Sequence, residues 1–158
     1  MSDKIFNSPF ELGVRMVFLL QTLHPSKVDL QRLVYLDYAS IYSADLGGPP
    51  SLHTPVPLRG GEYISRREII EEGLYLMATR SFVDIDATEG GIVYSLGENG
   101  TSLTGLLGNE YSRSLLNCCE WTSSRFGSLT DKQLEAVFDK HGLLWGAHFV
   151  SSELRTSI

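Results

Sequence analysis

Three residues in the first third of the chain are of the types from which a hydrolytic relay is built: Asp37, Ser51 and His53. A serine nucleophile of that kind sits on a sharp strand-to-helix turn, commonly within G-x-S-x-G. Here Pro50 precedes Ser51 in the run Gly47-Gly48-Pro49-Pro50, which breaks the pattern. Asp37 falls among Tyr35, Leu36 and Tyr38 on an apolar helical face. That setting suits a carboxylate paired with an arginine such as Arg67, or accepting from a nearby tyrosine, better than a general base with no partner acid. His53 has no second ligand at metal-binding spacing. Cys118 and Cys119 are adjacent and form no C-x-x-C, so zinc is not indicated. A disulfide between neighbouring cysteines needs strained geometry, and the pair therefore reads as two reduced thiols on a partly buried helix. Asn99–Gly108, NGTSLTGLLG, lacks the GxxxxGK[ST] order of a phosphate loop. These residues predict no catalytic set, no metal and no cofactor.

Binding is the remaining chemistry. The 158 residues carry a formal charge of -6, with a pI near 5.1, so the whole chain would be repelled by phosphate backbones. The cations of the central segment are Arg66, Arg67 and Arg80, set against Glu62, Glu68, Glu71 and Glu72. From Ser81 to Glu110 there are acidic residues at Asp84, Asp86, Glu89, Glu98 and Glu110 and neither lysine nor arginine. A DNA-gripping surface needs cations to neutralise phosphate, and this one predicts protein contact instead.

The elements that must position these groups are mostly helical. Ser8, Pro9 and Glu11 give a cap, a first-turn proline and an acid at the third position. Behind them Leu12, Met16, Leu19, Leu20 and Leu23 form a stripe on a helix apolar nearly all round, fit for a core or a subunit interface. Ser26 and Asp29 open a second helix, from about Lys27 to Ala44. Asp45–Gly61 is a long Gly- and Pro-rich connection of the kind that carries docking function. Ser65 and Glu68 have capping-box spacing, predicting a helix from Ser65 to Arg80 with Ile70, Leu74 and Met77 facing inward and Ile69, Gly73 and Leu76 broadening that face. The period then changes to two. Phe82, Val83 and Ile85 read as one strand, Ile92, Val93 and Tyr94 as its partner, and Asp86–Gly91 as the turn. Glu110–Phe126 and a helix capped by Thr130 and Gln133 and running through Lys140 complete the ordered pattern. Leu143–Ile158 is an apolar tail that either packs back or binds a partner.

The fold class expected is thus mostly α with a small β-hairpin: a winged helix-turn-helix-like core over residues 1–97, a C-terminal helical extension over 98–142 and a tail over 143–158. The 42% hydrophobic content suffices for one core. No stretch reads as a signal peptide or a membrane helix, since Arg15 and Gln21 interrupt the apolar span Leu12–Leu23. A soluble, cytoplasmic protein is expected.

Four strings carry a family resemblance: Phe6-Asn-Ser-Pro-Phe-Glu-Leu-Gly, Asp29-Leu-Gln-Arg-Leu-Val-Tyr-Leu-Asp-Tyr, Gly47-Gly-Pro-Pro-Ser-Leu-His and Arg66-Arg-Glu-Ile-Ile-Glu-Glu-Gly-Leu-Tyr-Leu-Met. In this order they resemble the middle component, second type, of bacterial ABC-three-component systems, from about Phe6 to Phe138. Small subunits of Lamassu-type anti-phage systems look similar. The resemblance implies a winged-helix-like subunit without chemistry of its own, bridging an SMC-like ABC ATPase and an effector, often a nuclease, with DNA reached indirectly through the complex. On that reading the candidate protein contacts are His53, Arg59, Glu62 and Arg67 around the long loop and Trp145 and Phe149 in the tail. The alternative is a DNA-binding winged-helix transcriptional regulator that presents Arg66, Arg67 and Arg80.

Overall fold

The computed structural model describes residues 8–53 and 59–140, the stretch 59–65 by its backbone alone. The described chain is mostly α-helical with one two-stranded antiparallel hairpin, as the residue pattern predicts. In chain order the elements are α1 (Pro9–Leu23), α2 (Leu30–Ile41), a 3-10 turn (Ser43–Leu46), α3 (Arg59–Ala78), β1 (Val83–Thr88), β2 (Gly91–Leu96), α4 (Gly100–Leu106), α5 (Glu110–Phe126) and α6 (Asp131–Lys140).

The predicted caps at Ser8, Asp29 and Thr130 form. Ser8 Oγ accepts from the Glu11 amide at 3.1 Å and Asp29 Oδ1 from the Arg32 amide at 2.8 Å. At α6 the box is reciprocal: Gln133 N donates to Thr130 Oγ1, and Thr130 N donates to Gln133 Oε1. The capping box at Ser65 does not start a helix, because α3 already begins at Arg59 and Ser65 lies inside it. The second helix is shorter than expected, starting after the Asp29 cap and ending at Ile41, beyond which the backbone tightens into the 3-10 turn. Asn99–Gly108, which lacks the order of a phosphate loop, contains α4. That short helix is held on α1 by its side chains: Leu103 packs on the core and the Thr104 hydroxyl donates to Gln21 Oε1.

Helix α1 is the centre of the molecule. Every residue from Leu12 to Leu20 is buried, and the helix contacts α2, α3, α4, α5 and β2. Its apolar circumference is therefore spent on the core. Each fully buried leucine or phenylalanine contributes about 1.5–3 kcal/mol relative to exposure. The closest approach is to α3, where glycine faces glycine. A Cβ on Gly73 would stand 2.5 Å from the Pro9 carbonyl oxygen and 2.6 Å from the Gly13 amide nitrogen, so only the missing side chains let the two backbones meet.

The hairpin pairs Val83 with Leu96 through to Thr88 with Gly91, leaving Glu89 and Gly90 as a two-residue turn, tighter than the predicted Asp86–Gly91. Val28, between α1 and α2, bridges Tyr94 on the outer edge of β2, with Tyr94 N donating to Val28 O at 2.7 Å. This third short extended contact ties the hairpin to the start of α2. Arg32, in the first turn of α2, performs a similar service. Its guanidinium donates to the carbonyls of Phe126, Gly127 and Leu129 and pairs with Asp131, clasping the end of α5 and the start of α6. Among the described residues no helix is long and apolar enough to cross a membrane.

Candidate partner-binding surface

A buried charge cluster ties α3 to α1 and α2. Asp37 of α2 receives Arg15 of α1 in two parallel bonds, Nε to Oδ1 at 3.0 Å and Nη2 to Oδ2 at 2.9 Å. Arg66 of α3 donates Nη1 to Oδ2 at 2.8 Å, and all three side chains are at most 4% exposed. Burial alone would raise the Asp37 pKa, but the two guanidiniums outweigh it and hold the carboxyl below its ordinary value of 3.8. One carboxylate thus joins three helices. An arginine such as Arg67, or a nearby tyrosine, is the expected partner of Asp37; the partners are Arg15 and Arg66. The placement of Arg66 in the core removes it from any surface that could meet nucleic acid.

With Arg66, Ile70, Leu74 and Met77 turned inward, helical spacing puts two adjacent stripes outside. One is Arg67, Glu71 and Tyr75, and the next is Glu68, Glu72 and Leu76. The first stripe runs beside the hydroxyl of Tyr94. Burial, with Tyr75 and Glu71 alongside, pushes that hydroxyl up to about 12 against the pull of Arg67. Leu76 was expected on the inward face and is 42% exposed, Tyr75 is 48% exposed and Ile92, two residues along β2 from Tyr94, is 46% exposed. Phe10 is also exposed, next to the Pro9 carbonyl that abuts Gly73. The sequence reading missed these as surface groups. The signal available was phase: Glu68, Glu72 and Leu76 share one stripe, so the glutamates mark Leu76 as outward.

Of the other predicted contact residues, Arg67 and Arg80 are exposed. His53 is half-buried, with Nε2 3.0 Å from the Tyr111 hydroxyl of α5 and its ring stacked on that tyrosine. Arg59 and Glu62 lie in the stretch of α3 described by backbone alone, and Trp145 and Phe149 lie outside the described residues. The loop before His53 is pinned to α5, because Trp121 covers Gly48 so closely that a Cβ there would sit 2.5 Å from the indole.

The residues of the hydrolytic candidate engage different partners. Asp37 is taken up by arginines, Ser51 Oγ accepts from the Ala44 amide, and His53 meets Tyr111. Cys118 and Cys119 are free thiols buried in α5, as the sequence predicts. Burial pushes both thiols up, Cys119 to about 12. Among the described residues no three His, Cys, Asp or Glu side chains are grouped to hold a metal ion.

These features define a small, mostly helical domain with one antiparallel hairpin, its helices joined by buried polar groups. The chain belongs to the family of ABC-three component (ABC-3C) system Middle Component 2, whose model matches residues 5–148. No curated protein and no solved structure matches it.

Proposed function

We propose that this middle component is a non-catalytic adaptor that joins an SMC-like ABC ATPase to an effector, most simply a nuclease, in an anti-phage complex of Lamassu-like organisation. Membership of the family supplies the setting of a multi-component ABC system. The observation that carries the adaptor reading is the outward surface of α3 and the hairpin, where Tyr75, Leu76 and Ile92 are exposed among carboxylates. Large apolar groups held in water beside a polar rim are the signature of a protein-binding surface. Co-expression with the ATPase component of the same system, followed by size exclusion, tests this reading. Co-elution is expected, and a persistent separate species with no co-migration overturns it.

A second reading is favoured by one observation. The order helix, short extended contact at Val28, two helices, then a hairpin bridged to Val28 through Tyr94 is consistent with a winged helix-turn-helix, and such units commonly bind DNA as transcriptional regulators. Against it stands charge. With Arg66 in the core, α3 exposes Arg67, and the turn after it Arg80, against Glu68, Glu71 and Glu72, while the hairpin adds Asp84 and Glu89. A gel shift at low salt with Arg67 and Arg80 replaced separates the two readings. The adaptor reading expects no shift with or without the arginines.

A further inference from the structure

Resting on the adaptor reading, we propose that the outward face of α3 and the adjoining hairpin tip dock a basic amphipathic helix of a partner subunit. Among the described residues, the exposed large apolar side chains are Phe10, Tyr75, Leu76, Ile92 and Leu106. All but Leu106 lie on α3, on the hairpin, or in the turn of α1 that abuts Gly73. Tyr75 and Leu76 are each four residues from a glutamate, Glu71 and Glu72, on two adjacent stripes. A helix laid against α3 at the usual 8–10 Å would bring its own apolar stripe onto Tyr75 and Leu76. Lysine or arginine side chains flanking that stripe would reach the glutamates, their methylene stems covering apolar surface on the way.

The charge pattern selects this occupant over the others. A second copy meeting α3 about a two-fold axis would set Glu68, Glu71 and Glu72 against their own equivalents, which is repulsive. The chain's own segment 143–158 carries one glutamate, Glu153, and one arginine, Arg155, so it offers no basic stripe. A nucleic acid would place phosphate against carboxylate.

The test uses the full chain and two labelled 18-residue synthetic helices with the same leucine stripe, one with lysine and one with glutamate on the polar face. Fluorescence anisotropy should show the lysine helix binding at least roughly tenfold more tightly, about 1.4 kcal/mol. Two sets of substitutions should each weaken it by a similar factor: Tyr75→Ser with Leu76→Ser, and Glu68→Gln, Glu71→Gln and Glu72→Gln together. All five side chains are exposed, so circular dichroism should remain that of the parent. Neutralising the exposed Glu135 and Asp139 of α6 should leave binding unchanged. Equal binding of the two helices, or indifference to both sets of substitutions, overturns the proposal. So does a parent dimer that the serine variant dissociates, or binding that emerges only when residues 143–158 are removed. Carried into the co-expression experiment, the same substitutions separate the two claims. Co-elution that persists in the variants defeats this surface and leaves the adaptor reading standing, whereas a parent that fails to co-elute but binds the lysine helix defeats the adaptor reading alone.

Discussion

Asp37 lies between Arg15 and Arg66 with its carboxylate withdrawn from water, and the three side chains come from three different helices. Replacing it with asparagine keeps the shape and strands two guanidiniums in the core. Breaking a buried ion pair by removing one partner costs about 3–5 kcal/mol, a large part of the roughly 5–15 kcal/mol that holds a domain folded. Urea denaturation should therefore show Asp37→Asn with a midpoint far below the parent. Asp86→Asn, which breaks the exposed 3.0 Å pair with Lys27, should cost no more than about 1 kcal/mol. The same carboxyl makes an acid prediction. Its folded pKa is below the ordinary 3.8, so its stabilisation is complete above that value and is lost as pH falls through the folded one. Thermal melts from pH 6 to pH 2 should show a loss of stability in the parent that is reduced in Asp37→Asn. Sequence alone points to an arginine such as Arg67, or a tyrosine, as the partner of Asp37, and the partners are Arg15 and Arg66. Arg66 and Arg67 are neighbours roughly 100° apart around a helix, and which one points inward depends on the rotational phase of α3. That phase is fixed by the contact with α1, a tertiary fact.

At the scale of elements, that phase is held by the glycine crossing. Alanine is the better helix former by about 0.8–1.0 kcal/mol, so Gly73→Ala would stabilise an isolated α3. In the protein its Cβ would meet backbone atoms of Pro9 and Gly13 at 2.5–2.9 Å, and backbone cannot swing aside. Overpacking of this kind costs about 1–3 kcal/mol, so the clash should win and Gly73→Ala should melt below the parent. Gly105 in α4 has nothing within 4 Å of its would-be Cβ. There the propensity acts unopposed, and Gly105→Ala should raise stability by up to about 1 kcal/mol. The helices legible in the sequence were those whose ends are written in local chemistry, such as Ser8, Asp29 and Thr130. Ser65 misled because Ser-x-x-Glu spacing can also occur inside a helix. The true start at Arg59 precedes Gly60 and Gly61, residues that local propensity places in a loop. Helix α4 was illegible for the related reason that Gly, Thr and Ser are weak helix formers. What supports it is contact with α1, which no window of sequence contains. The hairpin was legible because its period of two and its Glu89-Gly90 turn are both local.

For the whole molecule, the deciding quantity is where charge sits relative to apolar surface. A formal charge of -6 gives a field that slows approach to polyanions and speeds approach to cationic partners. The fold sharpens this asymmetry, because it draws Arg15 and Arg66 into the core and leaves Glu68, Glu71 and Glu72 of α3 outside. The exposed face is therefore more acidic than the composition of α3 alone would predict. Two salt dependences follow, of opposite use. Binding to a duplex, if it depended on Arg67 and Arg80, would neutralise about two phosphates and show a log–log salt slope near -1.8. Binding to a basic protein surface should instead fall in on-rate as salt rises, while the off-rate, set by Tyr75 and Leu76 in their buried contacts, stays nearly constant. Stopped-flow mixing with the lysine-bearing synthetic helix at increasing salt is expected to give the second pattern, with no retardation of duplex by the isolated chain at any salt. An on-rate indifferent to salt would mean that the carboxylates of α3 face away from the partner. An off-rate that climbs steeply with salt would mean that charge, and not the apolar pair, holds the complex together.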